Sequence, residues 1–190
     1  MPLQEYLDYF MDYSLEILYL KNLRQELLKE ARGRILELAV GNGQNSLHYP
    51  RNSKIIAIDI THNRITKSKK RPKSTDYVVG DSEILPFQDN SFDTIIDTLA
   101  LCTYKEPKKA LEEMSRVCKP KGTILLLEHG ISKVNFIKNY QIRNLENHFA
   151  KAGCNWARNP FELVKQSRLK ITSYERKLLG MVYLIWARPN

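Results

Sequence analysis

Five carboxylates recur where an apolar stretch of the chain stops: Glu37, Asp59, Asp81, Asp97 and Glu128. Core packing does not require an acid at such points. A carboxylate there can accept hydrogen bonds from a diol, an amine or an ammonium group. Between the first two acids lies Gly41-Asn42-Gly43, where glycines permit a sharp turn and a close approach of backbone to a ligand. Ser46 then opens a candidate helix, so the stretch reads as a strand–turn–helix cradle for a nucleotide-like ligand. Glu128 and His129 are the candidate proton-transfer groups, with Tyr104 a further one. His48, His62 and His148 lie outside any motif and read as surface or packing residues. Cys102, Cys118 and Cys154 are dispersed, and no pair has the spacing of a zinc or redox motif. No metal is expected, and three reduced thiols fit an intracellular compartment.

The elements that must carry these residues alternate. Strands are expected at 34–40, 54–59, 76–80, from 92 onward, and at 123–128, where Val, Ile and Leu crowd together. Helical spacing marks 3–30, a helix behind Thr61, and 107–117, with Ala110, Leu111, Met114 and Val117 facing inward. Lys119-Pro120-Lys121-Gly122 reads as a turn, and 170–175 with 181–187 as a closing antiparallel pair. The resulting class is α/β: a Rossmann-like, mostly parallel sheet with helices on both faces and a C-terminal antiparallel strand pair. Ligands of such sheets bind beyond the carboxyl ends of the strands, where the five acids lie.

The 190 residues predict one domain over 1–190, with an N-terminal helical cap over 1–30 and a possible substrate lid over 131–167. Tyr9 or Tyr13 of the cap could line a site mouth. No apolar run approaches the ~20 residues that span a bilayer, and Gln4, Glu5 and Asp8 interrupt any signal-peptide pattern. The expectation is a soluble, cytoplasmic protein. The net charge of +9 suits an anionic partner, or only a Lys-rich solvated surface. The cluster Lys67-Ser68-Lys69-Lys70-Arg71-Pro72-Lys73 reads as the basic last turn of a helix closed by Pro72, rather than as a nuclear-import run.

Several blocks in order then carry a resemblance. Glu37-Leu38-Ala39-Val40-Gly41-Asn42-Gly43, Asp59, Gly80-Asp81-Ser82-Glu83-Ile84-Leu85-Pro86-Phe87, Asn90-Ser91-Phe92-Asp93-Thr94-Ile95-Ile96 and Leu111 to Gly122 resemble the class I S-adenosylmethionine-dependent methyltransferases over about residues 30–188. Within them the chain is similar to the methyltransferase type 11-like group of ubiquinone/menaquinone and phospholipid methyltransferases. Leu126 to Gly130 and Gly153 to Arg158 resemble thiol and mitochondrial methyltransferase-like members. Ala39 departs from the pattern, standing where the first loop glycine is usual. Alanine is tolerated there if its φ is negative, so a slightly altered loop with retained binding is expected.

The resemblance implies S-adenosyl-L-methionine as cofactor and a set of contacts. Asp59 would accept the ribose diol and Ile60 cover the adenine. Asp81 would accept the adenine amino group, with Ser82 and Glu83 reading the ring through their backbones. Glu37, Ala39, Gly41 and Gly43 would border the methionine portion, as would Thr98 and Leu99. Asp97 reads either as a substrate contact or as a solvated strand-end acid. Trp156 and Arg158 read as a substrate lid or as packing. In-line methyl transfer draws mainly on positioning, and a base is needed only if the acceptor must lose a proton. The modest size favours a small-molecule or lipid-like acceptor; RNA or protein acceptors are the alternative. Two rivals remain: an NAD-dependent dehydrogenase, which leaves Gly80–Phe87 without a role, and a non-catalytic nucleic-acid-binding protein, for which no recognition motif is present.

Overall fold

The computed structural model describes residues 19–51, 53–70 and 75–190. The part of the expected 3–30 helical stretch that precedes residue 19, with Tyr9 and Tyr13, and the closing Pro72 lie outside these residues. The described part of the cap is α1 (Lys21–Leu28), followed by β1 (Arg34–Leu38), β2 (Lys54–Asp59), α2 (His62–Ser68), β3 (Asp76–Val79) and β4 (Phe92–Thr98). Then come α3 (Pro107–Val117), β5 (Cys118–His129), α4 (Asn135–Arg143), α5 (Leu145–Ala152), α6 (Pro160–Lys165), β6 (Leu169–Lys177) and β7 (Val182–Pro189).

The seven strands form one sheet in the order β3-β2-β1-β4-β5-β7-β6. The first five strands of the sequence pair in parallel, and β7 runs antiparallel to both β5 and β6. The expected class and the closing antiparallel pair are therefore present. Strand order reverses between β1 and β4, which puts the ligand crevice at the carboxyl ends of those two strands.

Side-chain alternation decides which acid faces which helix. Leu36, Leu38, Ile95 and Leu126 point to the face covered by α3 and α6, where Ala110, Leu111, Met114, Val117 and Val164 are buried. Ile35, Ile96, Leu125 and Leu127 point to the other face, under Leu23, Leu27 and Leu28 of α1. Each such leucine contributes roughly 1.5–3 kcal/mol through burial. With a period of two, Glu37 and Thr98 fall on the α1 face, while Asp97 and Glu128 fall on the α3 face.

Three local expectations are corrected. No α-helix opens at Ser46; a single 3-10 turn spans Gln44–Leu47. Pro50 lies too close for an α-helix to develop, because it lacks an N–H and biases the residue before it towards extended backbone. Lys119–Gly122 is not a free turn but a bulge within β5, since Phe92 pairs with Cys118 and Thr94 with Thr123. A side chain at Gly122 would meet Cys118 Sγ at 2.5 Å, so glycine is needed there by close approach.

The third correction is Ala39, whose φ is +44°, not negative. Hydrogen bonds of the two residues that follow hold it there: Val40 N–H donates to Ile58 O at 3.1 Å, and Gly41 N–H to Asp59 Oδ2 at 2.9 Å. A left-handed non-glycine residue costs ~1–2 kcal/mol. Ala39→Gly is therefore expected to stabilise the chain by about 0.5–1 kcal/mol after the added flexibility of the unfolded chain is deducted. A urea midpoint at or below the parent's would overturn that. Leu99, just beyond β4, is the counterpart across the crevice, with a φ of +58°.

Candidate active site

The crevice is built from two polar networks, one on each face of the sheet. On the α1 face, the Arg24 guanidinium donates to Asn45 Oδ1 at 2.8 Å and to Thr98 Oγ1 at 2.9 Å. Asn45 in turn donates its amide to Glu37 Oε1 at 2.9 Å and to Thr98 Oγ1 at 3.0 Å. Arg24, Asn45 and Glu37 are all buried. Sequence reasoning missed Arg24 and Asn45. The available signal was helical spacing: Arg24 sits three and four residues before Leu27 and Leu28, on the inward arc of α1.

On the α3 face, Tyr104 donates to Asp97 Oδ1 at 2.9 Å. Asp97 is 0% exposed, which removes the solvated-acid reading. Glu128 is equally buried and accepts the amides of Ala100 at 3.5 Å and Leu101 at 3.1 Å. It thereby fixes the loop that follows the strained Leu99. The candidate base is thus a buried acid that shapes a loop.

Burial governs the ionisation of these acids. It pushes Glu37 up to about 8, against the Asn45 hydrogen bond and the nearby Arg24 charge. It pushes Asp97 up to about 7, against the Tyr104 hydrogen bond. Glu128 is held well above the usual carboxylate range by burial and then by Asp97. Tyr104 is likewise raised, by burial first and then by Asp97.

These shifts fix a sign. The folded chain keeps protons on Glu37 and Asp97 that the unfolded chain gives up from about pH 4. Stability is full below the unfolded values of 4.5 and 3.8 and falls as pH rises, through 8 for Glu37 and 7 for Asp97. The slope is at most about 1.4 kcal/mol per pH unit for each acid. Thermal melts of the cofactor-free chain are expected to show this decline, and Glu37→Gln to flatten it. A decline unchanged in that variant would contradict the shift assigned to Glu37.

Asp59 ties the first two loops together. Its Oδ2 accepts Gly41 N–H and its Oδ1 accepts Thr61 N–H, each at 2.9 Å. Ile60 beside it is 68% exposed, an apolar surface next to a carboxylate. Asp81 accepts Glu83 N–H at 2.8 Å, shaping the following turn, and Ser82 is buried. The segment over 131–167 is strapped to the crevice: Asn155 N–H donates to Cys102 O at 2.9 Å, and the Arg158 guanidinium bonds Leu101 O. Buried Gln141 holds Ser132, Gly130 and Trp156 together through backbone bonds. His148 stacks on Trp156 at 3.8 Å, a packing role as expected.

The cysteines are not dispersed in space. Cys102 and Cys154 lie 3.0 and 3.1 Å from His129 Nε2, while Cys118 is buried elsewhere in the core. Cys154 is pulled down to about 4, by the Cys102 hydrogen bond first and then by His129, and Cys102 is pushed up by the same partnership.

The residues present suit S-adenosylmethionine. Glu37 Oε2 and Asp97 Oδ2 are buried without a hydrogen-bond partner among the described residues, one at the carboxyl end of each strand flanking the crevice. A ligand that carries an ammonium and a sulfonium would favour the ionised form of both acids, whose orphaned oxygens then accept from it. A concavity of about 520 Å³ lies at the other end, among Arg34, Lys54 and Asp76, and carries none of the strand-end acids.

Sheet order, strand-end acids and a match of residues 36–126 to the methyltransferase domain family agree. Over that stretch, just under half of its length, the chain is similar to S-adenosylmethionine-dependent methyltransferases. It is 29% identical over 196 residues to the mitochondrial methyltransferase OMS1 of Saccharomyces cerevisiae, across 90% of this chain and 41% of that protein. It is 38% identical over 96 residues to the demethylmenaquinone methyltransferase of Renibacterium salmoninarum, across 50% of this chain and 40% of that one. The chain thus spans less than half the length of these two relatives. A solved S-adenosylmethionine-dependent methyltransferase from Thermotoga maritima superposes with a TM-score of 0.73 at 18% identity, covering 98% of this chain and 97% of that one. Among the described residues, no helix is long and apolar enough to cross a membrane.

Proposed function

We propose that the chain transfers a methyl group from S-adenosyl-L-methionine to a small, apolar, quinone-like or lipid-like acceptor. The observation that carries this is the pair of orphaned buried carboxylate oxygens, on Glu37 and Asp97, at the carboxyl ends of β1 and β4. Bound in the crevice, the cofactor supplies a methyl carbon activated by its sulfonium. Glu37 holds the ammonium and is itself held by Asn45. Ala39, Gly41 and Gly43 line the methionine portion, and Thr98 with Leu99 closes its far side. Asp59 takes the ribose on the lone pairs its two backbone donors leave free. Ile60, Asp81 and Ser82 form the adenine side.

Glu128 acts in this reading as a positioning residue, because it is fully buried and its oxygens serve the Ala100 and Leu101 amides. His129 is half-buried at the end of β5. Residues 131–167 form the wall over the acceptor. Phe136, Tyr140 and Phe149 are exposed on it, at 83%, 56% and 52%, which suits an apolar acceptor. The names of the relatives support the same class without fixing the molecule.

Titration should give micromolar binding of S-adenosylhomocysteine and none of NADH; the reverse would restore a dehydrogenase. Radiolabelled methyl from the cofactor should then enter the lipid or small-molecule fraction of a cell extract. Label found solely in RNA or protein would overturn the acceptor class.

A further inference from the structure

Three donors from three separate elements converge beside the crevice. Cys102 comes from the loop after β4, His129 from the end of β5, and Cys154 from the turn that follows α5. Their ligating atoms all lie within 4.8 Å of one another. Cys102 is 2% exposed, Cys154 is 7% exposed and His129 is half-buried, so His129 is the side open to solvent. Nothing in binding an S-adenosylmethionine cofactor calls for two thiols on one imidazole nitrogen.

From this convergence we propose that Cys102, His129 and Cys154 bind a thiophilic divalent cation of the zinc class. Two thiolates and an imidazole are the ligand set that selects such an ion over oxygen-seeking cations. In a tetrahedral site, zinc–sulfur bonds of about 2.3 Å and zinc–nitrogen bonds of about 2.0 Å set sulfur and nitrogen donors about 3.5 Å apart. The observed 3.0 and 3.1 Å need an opening of a few tenths of an ångström. Rotation of the two cysteine side chains about their χ1 bonds can provide it. Binding replaces any thiol proton still held by the pair with a metal–sulfur bond, and that proton leaves to solvent.

The surroundings fit a built site. Asn155 N–H on Cys102 O fixes the two cysteine loops relative to each other, and His129 is anchored by its place in β5. Three protein ligands leave a fourth position for water or an incoming group.

The experiment is metal analysis of the full chain, purified reduced and without chelators. About one zinc per chain is expected. After chelation and reloading with cobalt(II), a thiolate-to-cobalt charge-transfer band with tetrahedral visible bands should appear. Cys102→Ser and Cys154→Ser should lose both the zinc and the band, and Cys118→Ala should keep them. His129→Asn, which retains both thiols, should keep the charge-transfer band but shift the visible bands. Circular dichroism identifies any variant that fails to fold, and cobalt titration of the parent chain does not depend on them. A reduced parent chain without zinc and with an octahedral cobalt spectrum would overturn the proposal. So would a Cys102–Cys154 disulfide present in place of metal under those conditions. Neither readout uses methyl transfer, so S-adenosylhomocysteine binding can fail or succeed independently.

Discussion

Asp59→Ala is expected to weaken binding of S-adenosylhomocysteine by about a hundredfold in isothermal titration. The carboxylate holds Gly41 N–H and Thr61 N–H at 2.9 Å each, so it fixes both loops that border the ribose. Hydrogen bonds to a charged group are worth ~1.5–3 kcal/mol each, and loss of the ribose contact adds to the disordering of Gly41. A loss of about 3 kcal/mol corresponds to roughly a hundredfold in affinity. Asp59→Asn separates the two contributions, because it retains one acceptor oxygen and removes the charge. It should cost about tenfold. Unchanged affinity in the alanine variant would remove both the ribose role and the loop role.

Arg24→Met should lower stability by about 3–5 kcal/mol, the cost of taking one partner from a buried charged network. Methionine fills much of the volume, so the loss reports hydrogen bonding and charge rather than a cavity. Asn45 Oδ1 and Thr98 Oγ1 both lose a cationic donor within 2.9 Å. The nearby charge that holds down the pKa of Glu37 is lost as well. In a chain of 190 residues the loss appears as a melting temperature lower by roughly 6–20 °C. A second readout separates this from mere packing: the decline of stability with rising pH should continue to higher pH than in the parent chain, because Glu37 becomes harder to ionise. A Met variant that melts within a degree or two of the parent would show that Arg24 is no keystone of the crevice.

How far the sequence leads depends on whether a feature is local. The strands were legible because Ile35-Leu36 or Ile124-Leu125-Leu126-Leu127 can be buried on both faces in no other element of that length. The strand-end acids were legible as positions, and their placement around the β1/β4 switch follows from the strand order. Their protonation was not, since it depends on how completely the assembled fold buries each acid, which no local pattern states. The φ of Ala39 was illegible for a related reason. It is imposed by Ile58 O and Asp59, and an isolated alanine would choose otherwise. Cys102, His129 and Cys154 are separated by 27 and 25 residues in sequence. Their meeting depends on β5 lying beside β4 and on the strap from Asn155 to Cys102.

The order of the last two strands matters for how the protein is made. β7 is synthesised after β6, yet it lies between β6 and β5 and pairs with both. β6 therefore has no place to dock while it is the newest strand. As the chain leaves the ribosome, β5 presents an open edge that carries Leu125 and Leu127, and it stays open until β7 emerges and inserts. During that interval the nascent chain is most exposed to mispairing, and chaperone dependence should concentrate there.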